Sequence, residues 1–187
     1  MRRIAIAGTI VLALVLLGFE LIGGQNTLAP ANGAYLAANS LFNDGRYQRA
    51  AEAYAEALRL KPGHLPALRG RANALLKSGR PVLALKPIER AISLQPNFGG
   101  NYAIRGITLD TLGRRHEAMV DYAKALERDP AMADGMGWFD RFYYNVQKKP
   151  PSIADRLRYL RKQMKLPEAE RVLSRPNIDA EQRPYER

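Results

Sequence analysis

Between residues 31 and 132 the alternation of apolar and polar positions repeats every 34 residues, so that Ala31–His64, Leu65–Phe98 and Gly99–Met132 align without a gap. Gly45, Gly79 and Gly113 fall in step, as do Ala50, Ala84 and Ala118, then Ala57, Ala91 and Ala125, then Pro62, Pro96 and Pro130. Ala38, Ala72 and Gly106 stay small, while Leu41, Leu75 and Leu109, Tyr54, Ile88 and Tyr122, and Leu58, Ile92 and Leu126 stay large. Small residues let two helices approach closely and the larger ones fill the gaps between them, the pattern of a packed helical hairpin. The glycines end a first helix near the middle of each unit, where a left-handed cap costs least without a side chain. The prolines close the second helix. Each unit therefore predicts helix, turn, helix, turn, with Pro81 accommodated in a first helical turn.

Beyond the third unit the period stops. Met132–Gln147 predicts a capping helix with Phe139, Phe142, Tyr143 and Val146 on one face, and Trp138 and Tyr144 pointing elsewhere. Pro150-Pro151 breaks the chain, and Ser152-Ile153-Ala154-Asp155 offers a capping box for a helix to about Lys165. Its apolar stripe is Ile153, Leu157, Leu160 and Met164, with Arg156, Arg158, Arg161, Lys162 and Lys165 on the remaining surface. Residues 153–165 are thus also a candidate surface for anionic lipid or an acidic protein, beside the plainer role of docking on the repeats. Pro167–Leu173 predicts a short helix and Arg175–Arg187 an extended tail.

At the other end, Arg2 and Arg3 precede the apolar run Ile4–Phe19, which resumes after Glu20 with Leu21 and Ile22. As a helix this run is roughly 28 Å long, close to the hydrocarbon thickness of a bilayer. It predicts a transmembrane anchor over residues 1–24, with a linker at 25–30. The alternative is a signal sequence cleaved near Ala29-Pro30-Ala31, about a dozen residues past Phe19 and farther than such sites usually lie. The basic residues before the run, against a first basic residue after it at Arg46, put the amino terminus in the cytoplasm and the bulk outside it. In a two-membrane bacterium that compartment is the periplasm.

The net charge of +11 divides into +1 over residues 1–30, +6 over 31–132 and +4 over 133–187. This mild, spread basicity does not choose among polyanions, and no nucleic acid is expected as partner of an extracytoplasmic solenoid. The absence of cysteine removes disulfides and thiol chemistry. His64 and His116 occupy unrelated places without ligand-like spacing, and neither a Gly-x-Ser-x-Gly elbow nor a phosphate-cradling loop is present. The reading is of a non-enzyme with no metal or cofactor.

A 34-residue unit with these glycine, alanine and proline columns resembles the tetratricopeptide repeat over residues 31–132. Ala34 and Leu68 stand where that family often has a large aromatic, which Tyr102 supplies, and Arg71 and Arg105 take a place usually given to leucine. The resemblance implies an all-α, right-handed superhelical solenoid of three hairpins, with residues 133–187 as capping helix and basic extension. It also implies a concave groove lined by the first helices, which places Tyr35, Asn39, Phe42 and Asn43, then Arg69, Asn73, Leu76 and Lys77, then Ala103, Ile107 and Asp110 toward a bound polypeptide. Asn39 and Asn73 share one place in successive units, so their amides can pair with a peptide main chain whatever its sequence. The clamp by which some relatives grip a terminal carboxylate is matched only at Asn39; Tyr35, Gly70, Gly100 and Ile104 fill its other places. The expected function is a membrane-anchored scaffold or assembly factor. The alternative is a structural subunit of an envelope complex contacting it mainly through residues 133–187.

Overall fold

The computed structural model describes residues 28–135 and 151–174. Among these are seven α-helices and no strand: α1 Leu28–Asn43, α2 Tyr47–Leu60, α3 Leu65–Lys77, α4 Pro81–Leu94, α5 Gly99–Thr111, α6 Arg115–Arg128 and α7 Ile153–Gln163. They stack in chain order as three hairpins, α1–α2, α3–α4 and α5–α6, with α7 laid on α6 as α3 lies on α2 and α5 on α4. The expected membrane span falls in residues outside this description, and no described helix is long and apolar enough to cross a membrane. The helix α1 begins at Leu28, inside the segment expected as a linker.

The turn inside each hairpin is built three times from the same bonds. Gly45, Gly79 and Gly113 adopt φ of 73°, 74° and 81°. The amide after each glycine, of Arg46, Arg80 or Arg114, donates to the carbonyl of Leu41, Leu75 or Leu109 at 2.8–2.9 Å. That pairing satisfies carbonyls left over at the helix end and reverses the chain in three residues. An alanine there would be held in the left-handed region that its Cβ disfavours.

Between the paired helices the small columns set the distance. A Cβ on Gly106 would stand 2.8 Å from the Tyr122 ring, and across the junction of the first two hairpins one on Gly70 would stand 2.4 Å from that of Tyr54. Tyr54, Ile88 and Tyr122 are correspondingly buried, with Ala38, Ala72 and the two alanine columns at zero exposure. Between hairpins, the Asn101 amide donates to the carbonyls of Ala91 and Gln95 at 3.2 and 3.0 Å, tying α5 to the end of α4. Pro87 sits inside α4 as well as Pro81 at its start, leaving the carbonyl four residues earlier, at exposed Leu83, without its helical donor.

After α6 the chain departs from expectation. Met132 lies in a single 3-10 turn, Pro130–Ala133, capped by the Asp129 carboxylate and followed by Gly135 at φ 65°. It is buried there and does not start a helix; Trp138, Phe139, Phe142, Tyr143, Tyr144 and Val146 lie outside the described residues. Ser152 and Asp155 form the reciprocal capping box that starts α7. The helix ends at Gln163, and Pro167–Leu173 is no helix beyond the 3-10 turn Glu168–Glu170. The reason is tertiary: Tyr159 Oη donates to the Val172 carbonyl at 2.6 Å, and the Val172 amide to Gln163 Oε1 at 2.8 Å. Those bonds hold residues 171–174 extended along α7.

The second correction concerns Arg156, expected on the outer surface of α7 and found 5% exposed. Its Nε and Nη2 donate to the Asp110 carboxylate at 2.6 and 3.1 Å, and Nη2 also to the Leu173 carbonyl at 3.0 Å. Leu157 and Leu160 pack beside it into a cluster with Ile107, Leu109 and Tyr122. Arg156→Ala strands part of a buried carboxylate, so the third hairpin should lose about 3 kcal/mol. Amide hydrogen exchange should show α7 opening first in this variant while α1–α4 keep their protection.

Candidate functional site

The face formed by the first helices is where the expected binding residues divide into two groups. On α1, Tyr35, Asn39 and Phe42 are half-buried and Asn43 is exposed. The Tyr35 ring stands 5.1 Å from His64 and 6.0 Å from Tyr54, and Phe42 meets Tyr47 edge-on at 5.1 Å. Tyr54 Oη donates to Asn39 Oδ1 at 2.6 Å, so the amide oxygen is held from behind and the Asn39 NH2 group is turned away from that bond.

On α3, Arg69 is half-buried with its guanidinium 4.7 Å above the Phe98 ring, and Nη1 donates to Gln95 Oε1 at 3.2 Å. Burial lowers its pKa and the neighbouring Tyr35 raises it. Leu76 and Lys77 are half-buried, Leu76 against the core. Asn73, expected to be presented beside Asn39, is only 3% exposed, and its Oδ1 is buried without a hydrogen-bond partner.

On α5 the expected line is closed. Ala103, Ile107 and Asp110 are all buried. Ile107 packs with Leu157 and Leu160, and Asp110 is covered by α7. Besides Arg156, the Asp110 carboxylate accepts from Tyr122 Oη at 3.2 Å and has Arg115 Nε at 3.1 Å, while Arg115 Nη1 donates to the Asp110 main-chain oxygen. Two guanidiniums and a phenol on one carboxylate make Asp110 a structural anchor. The accessible part of the face is therefore the stretch from Tyr35 to Lys77.

Sequence reasoning missed two polar arrangements. Arg105, standing out at a leucine place, donates from Nε and Nη2 to Asp121 at 2.6 and 2.8 Å, two departures from the repeat that answer each other inside one hairpin. Arg71 holds the same place in the second hairpin, where Pro87 replaces Asp121, and its Nε is buried without a partner. The other arrangement is at His64, expected as a turn residue and found to cap α3: Nδ1 accepts from the Ala67 amide at 3.1 Å, so the ring proton is on Nε2, which donates to Asn32 Oδ1 at 2.9 Å. No group of three metal-ligating side chains occurs among the described residues.

Burial, and then Lys61, hold His64 below the usual imidazole value of 6.5. The unfolded chain thus takes up the proton first: the cap's contribution is complete above about pH 6.5 and is lost as the pH falls through the lower folded value. Denaturant midpoints measured from pH 7.5 to 5 should fall, and His64→Asn, which keeps an N-cap oxygen, should flatten that dependence.

Two models described as Tetratricopeptide repeat match residues 35–97 and 100–132, together just over half of the chain. Among curated proteins, the chain is 28% identical over 144 residues to Hsp70-Hsp90 organizing protein 2 of Arabidopsis thaliana, covering 74% of this chain and 25% of that one. It is 32% identical over 104 residues to small glutamine-rich tetratricopeptide repeat-containing protein 2 of Mycosarcoma maydis, covering 56% and 30%. The chain thus spans less than a third of these relatives' length. Among solved structures, the second TPR domain of human RPAP3 in complex with the HSP70 peptide SGPTIEEVD aligns with TM-score 0.54 at 28% identity, over 56% of this chain and 88% of that one. MamA aligns with TM-score 0.51 at 26% identity, over 56% and 61%.

Proposed function

This chain belongs to the tetratricopeptide-repeat family, and from that premise we propose that it is a non-catalytic scaffold holding an extended segment of a partner polypeptide against α1 and α3. The observation that carries the proposal is the accessible row Tyr35, Asn39 and Arg69, which offers an aromatic face, an amide and a half-buried cation within one stretch of the first-helix surface. Amide and guanidinium donors suit main-chain carbonyls and a carboxylate side chain, and Tyr35 and Phe42 suit an apolar residue. The related RPAP3 domain binds an HSP70 peptide. Here the carboxylate-clamp places hold Tyr35, Gly70, Gly100 and Ile104 beside Asn39, so the partner is read along its length and not by its terminus.

The reading also puts the scaffold at a membrane. Its support is the apolar run Ile4–Ile22 behind Arg2 and Arg3, which would leave the repeats outside the cytoplasm. The competing role, a subunit joined to a larger complex through residues 133–187, has less surface to use among the described residues. Leu157, Leu160 and Arg156 of α7 are spent on the chain's own third hairpin.

Crosslinking in intact membranes from a photoreactive residue at Asn43, which is exposed at the rim of this row, identifies the partner. Asn39→Ala with Arg69→Glu should then weaken binding of the captured segment by at least about 30-fold, from one lost hydrogen bond and one reversed charge. Unchanged capture in that variant, or capture lost only on removing residues 175–187, would reject the groove in favour of the subunit reading.

A further inference from the structure

The solenoid has two long edges, one made by the turns within hairpins and the other by the turns between them. Charge is divided unequally between them. Residues 43–49, 77–83 and 111–117 carry Arg46, Arg49, Lys77, Arg80, Arg114 and Arg115 against Asp44 and Glu117. Residues 59–66, 93–100 and 127–134 carry Arg59, Lys61 and Arg128 against Glu127, Asp129 and Asp134. The within-hairpin edge therefore holds the excess.

Arg46, Arg80 and Arg114 occupy one place in all three hairpins, immediately after the left-handed glycine and before the second helix. Arg114 is paired with Glu117 at 2.6 Å and Arg115 with Asp110. Arg46, Arg49 and Arg80 are exposed, and among the described residues their side chains make no hydrogen bond or ion pair. At the same edge α2 and α4 begin with neither an acidic residue in the first turn nor a side-chain cap, which adds the positive end of each helix to the field. Arg46 and Arg49 line an open concavity of about 410 Å³ that reaches Ser78 of the next hairpin's turn.

Beside Arg80 the surface is apolar, while Tyr47, Gln48 and Ser78 line the concavity at Arg46 and Arg49. Val82 and Leu83, in the first turn of α4 two and three residues after Arg80, are 65% and 56% exposed. Unpaired guanidiniums beside bare aliphatic side chains match a phospholipid interface, where the former meet phosphate and the latter enter the acyl boundary. A polyanion without apolar groups, such as polyglutamate, answers the charge alone. We propose that the within-hairpin edge, through Arg46, Arg49, Arg80, Val82 and Leu83, docks on an anionic phospholipid surface. These five residues lie at the starts of α2 and α4, whereas Tyr35, Asn39 and Arg69 lie on α1 and α3, and the docking does not depend on residues 4–22.

The chain contains no cysteine, so one introduced thiol takes one environment-sensitive fluorophore. Gln48→Cys places it at this edge and Asn97→Cys at the opposite one, both at exposed positions. The full chain is mixed with vesicles of phosphatidylcholine alone or with added phosphatidylglycerol. The label at residue 48 should shift further to the blue with phosphatidylglycerol than with phosphatidylcholine alone, and the label at 97 should not. Arg46→Gln with Arg49→Gln and Arg80→Gln should weaken the apparent vesicle affinity about 100-fold, at roughly 5-fold per arginine. Val82→Ser with Leu83→Ser should weaken it without altering its salt dependence. Equal shifts at both labels, a shift at residue 48 as large with phosphatidylcholine alone as with phosphatidylglycerol, or the same shift on adding polyglutamate without vesicles would each overturn the proposal.

Discussion

A helical hairpin of this kind leaves the outer flank of its second helix bare, and that flank has to be covered by the next element or by water. Here α2 is covered by α3 and α4 by α5, and α6 is covered by α7, which comes from a part of the chain without the repeat. The cover at the end is secured differently from the others. Between repeats the contact is mostly apolar, from Leu68, Leu75 and Ile104 among small residues. At the end a buried ion pair, Arg156 on Asp110, is added to Leu157 and Leu160. An ion pair out of water is strongly directional and tolerates no slippage, so it sets the register of α7 where no repeat pattern sets it.

That end cover also decides how much of the first-helix face stays open. The first-helix face would run across three hairpins if each were alike, but Ile107 and Asp110 are used by α7. What stays accessible is a shorter stretch on α1 and α3, in which Tyr54 orients Asn39 and Phe98 supports Arg69 from below. For the proposed groove these supports matter because a side chain already held in place loses less freedom when it takes a ligand.

The repeat also concentrates charge by geometry. Because Arg46, Arg80 and Arg114 follow the glycine of every within-hairpin turn, the same place in three units becomes one basic edge of the molecule. Neither composition nor net charge reveals such an edge; the regular turn does, since it carries each arginine to the same side.

The sequence by itself determined the helices, their hairpin turns and the stacking of three units. Those depend on local rules: left-handed glycines, small residues at close approaches and capping side chains such as Ser152 with Asp155 act within a few residues of themselves or recur at a fixed period. Arg105 and Arg71 were visible as departures from that period, but their meaning was not, because it depends on whether Asp121 or Pro87 stands across the hairpin. Tertiary structure alone decided that Asn73 is buried, that Asp110 anchors α7 and that His64 caps α3. It also turned Pro167–Leu173 from an expected helix into a strip held along α7. The physical reason is common to these cases. Whether a polar group on a helix faces water or a partner is fixed by which element comes to rest on it, and for residues 46 positions apart, as Asp110 and Arg156 are, no periodicity encodes that contact.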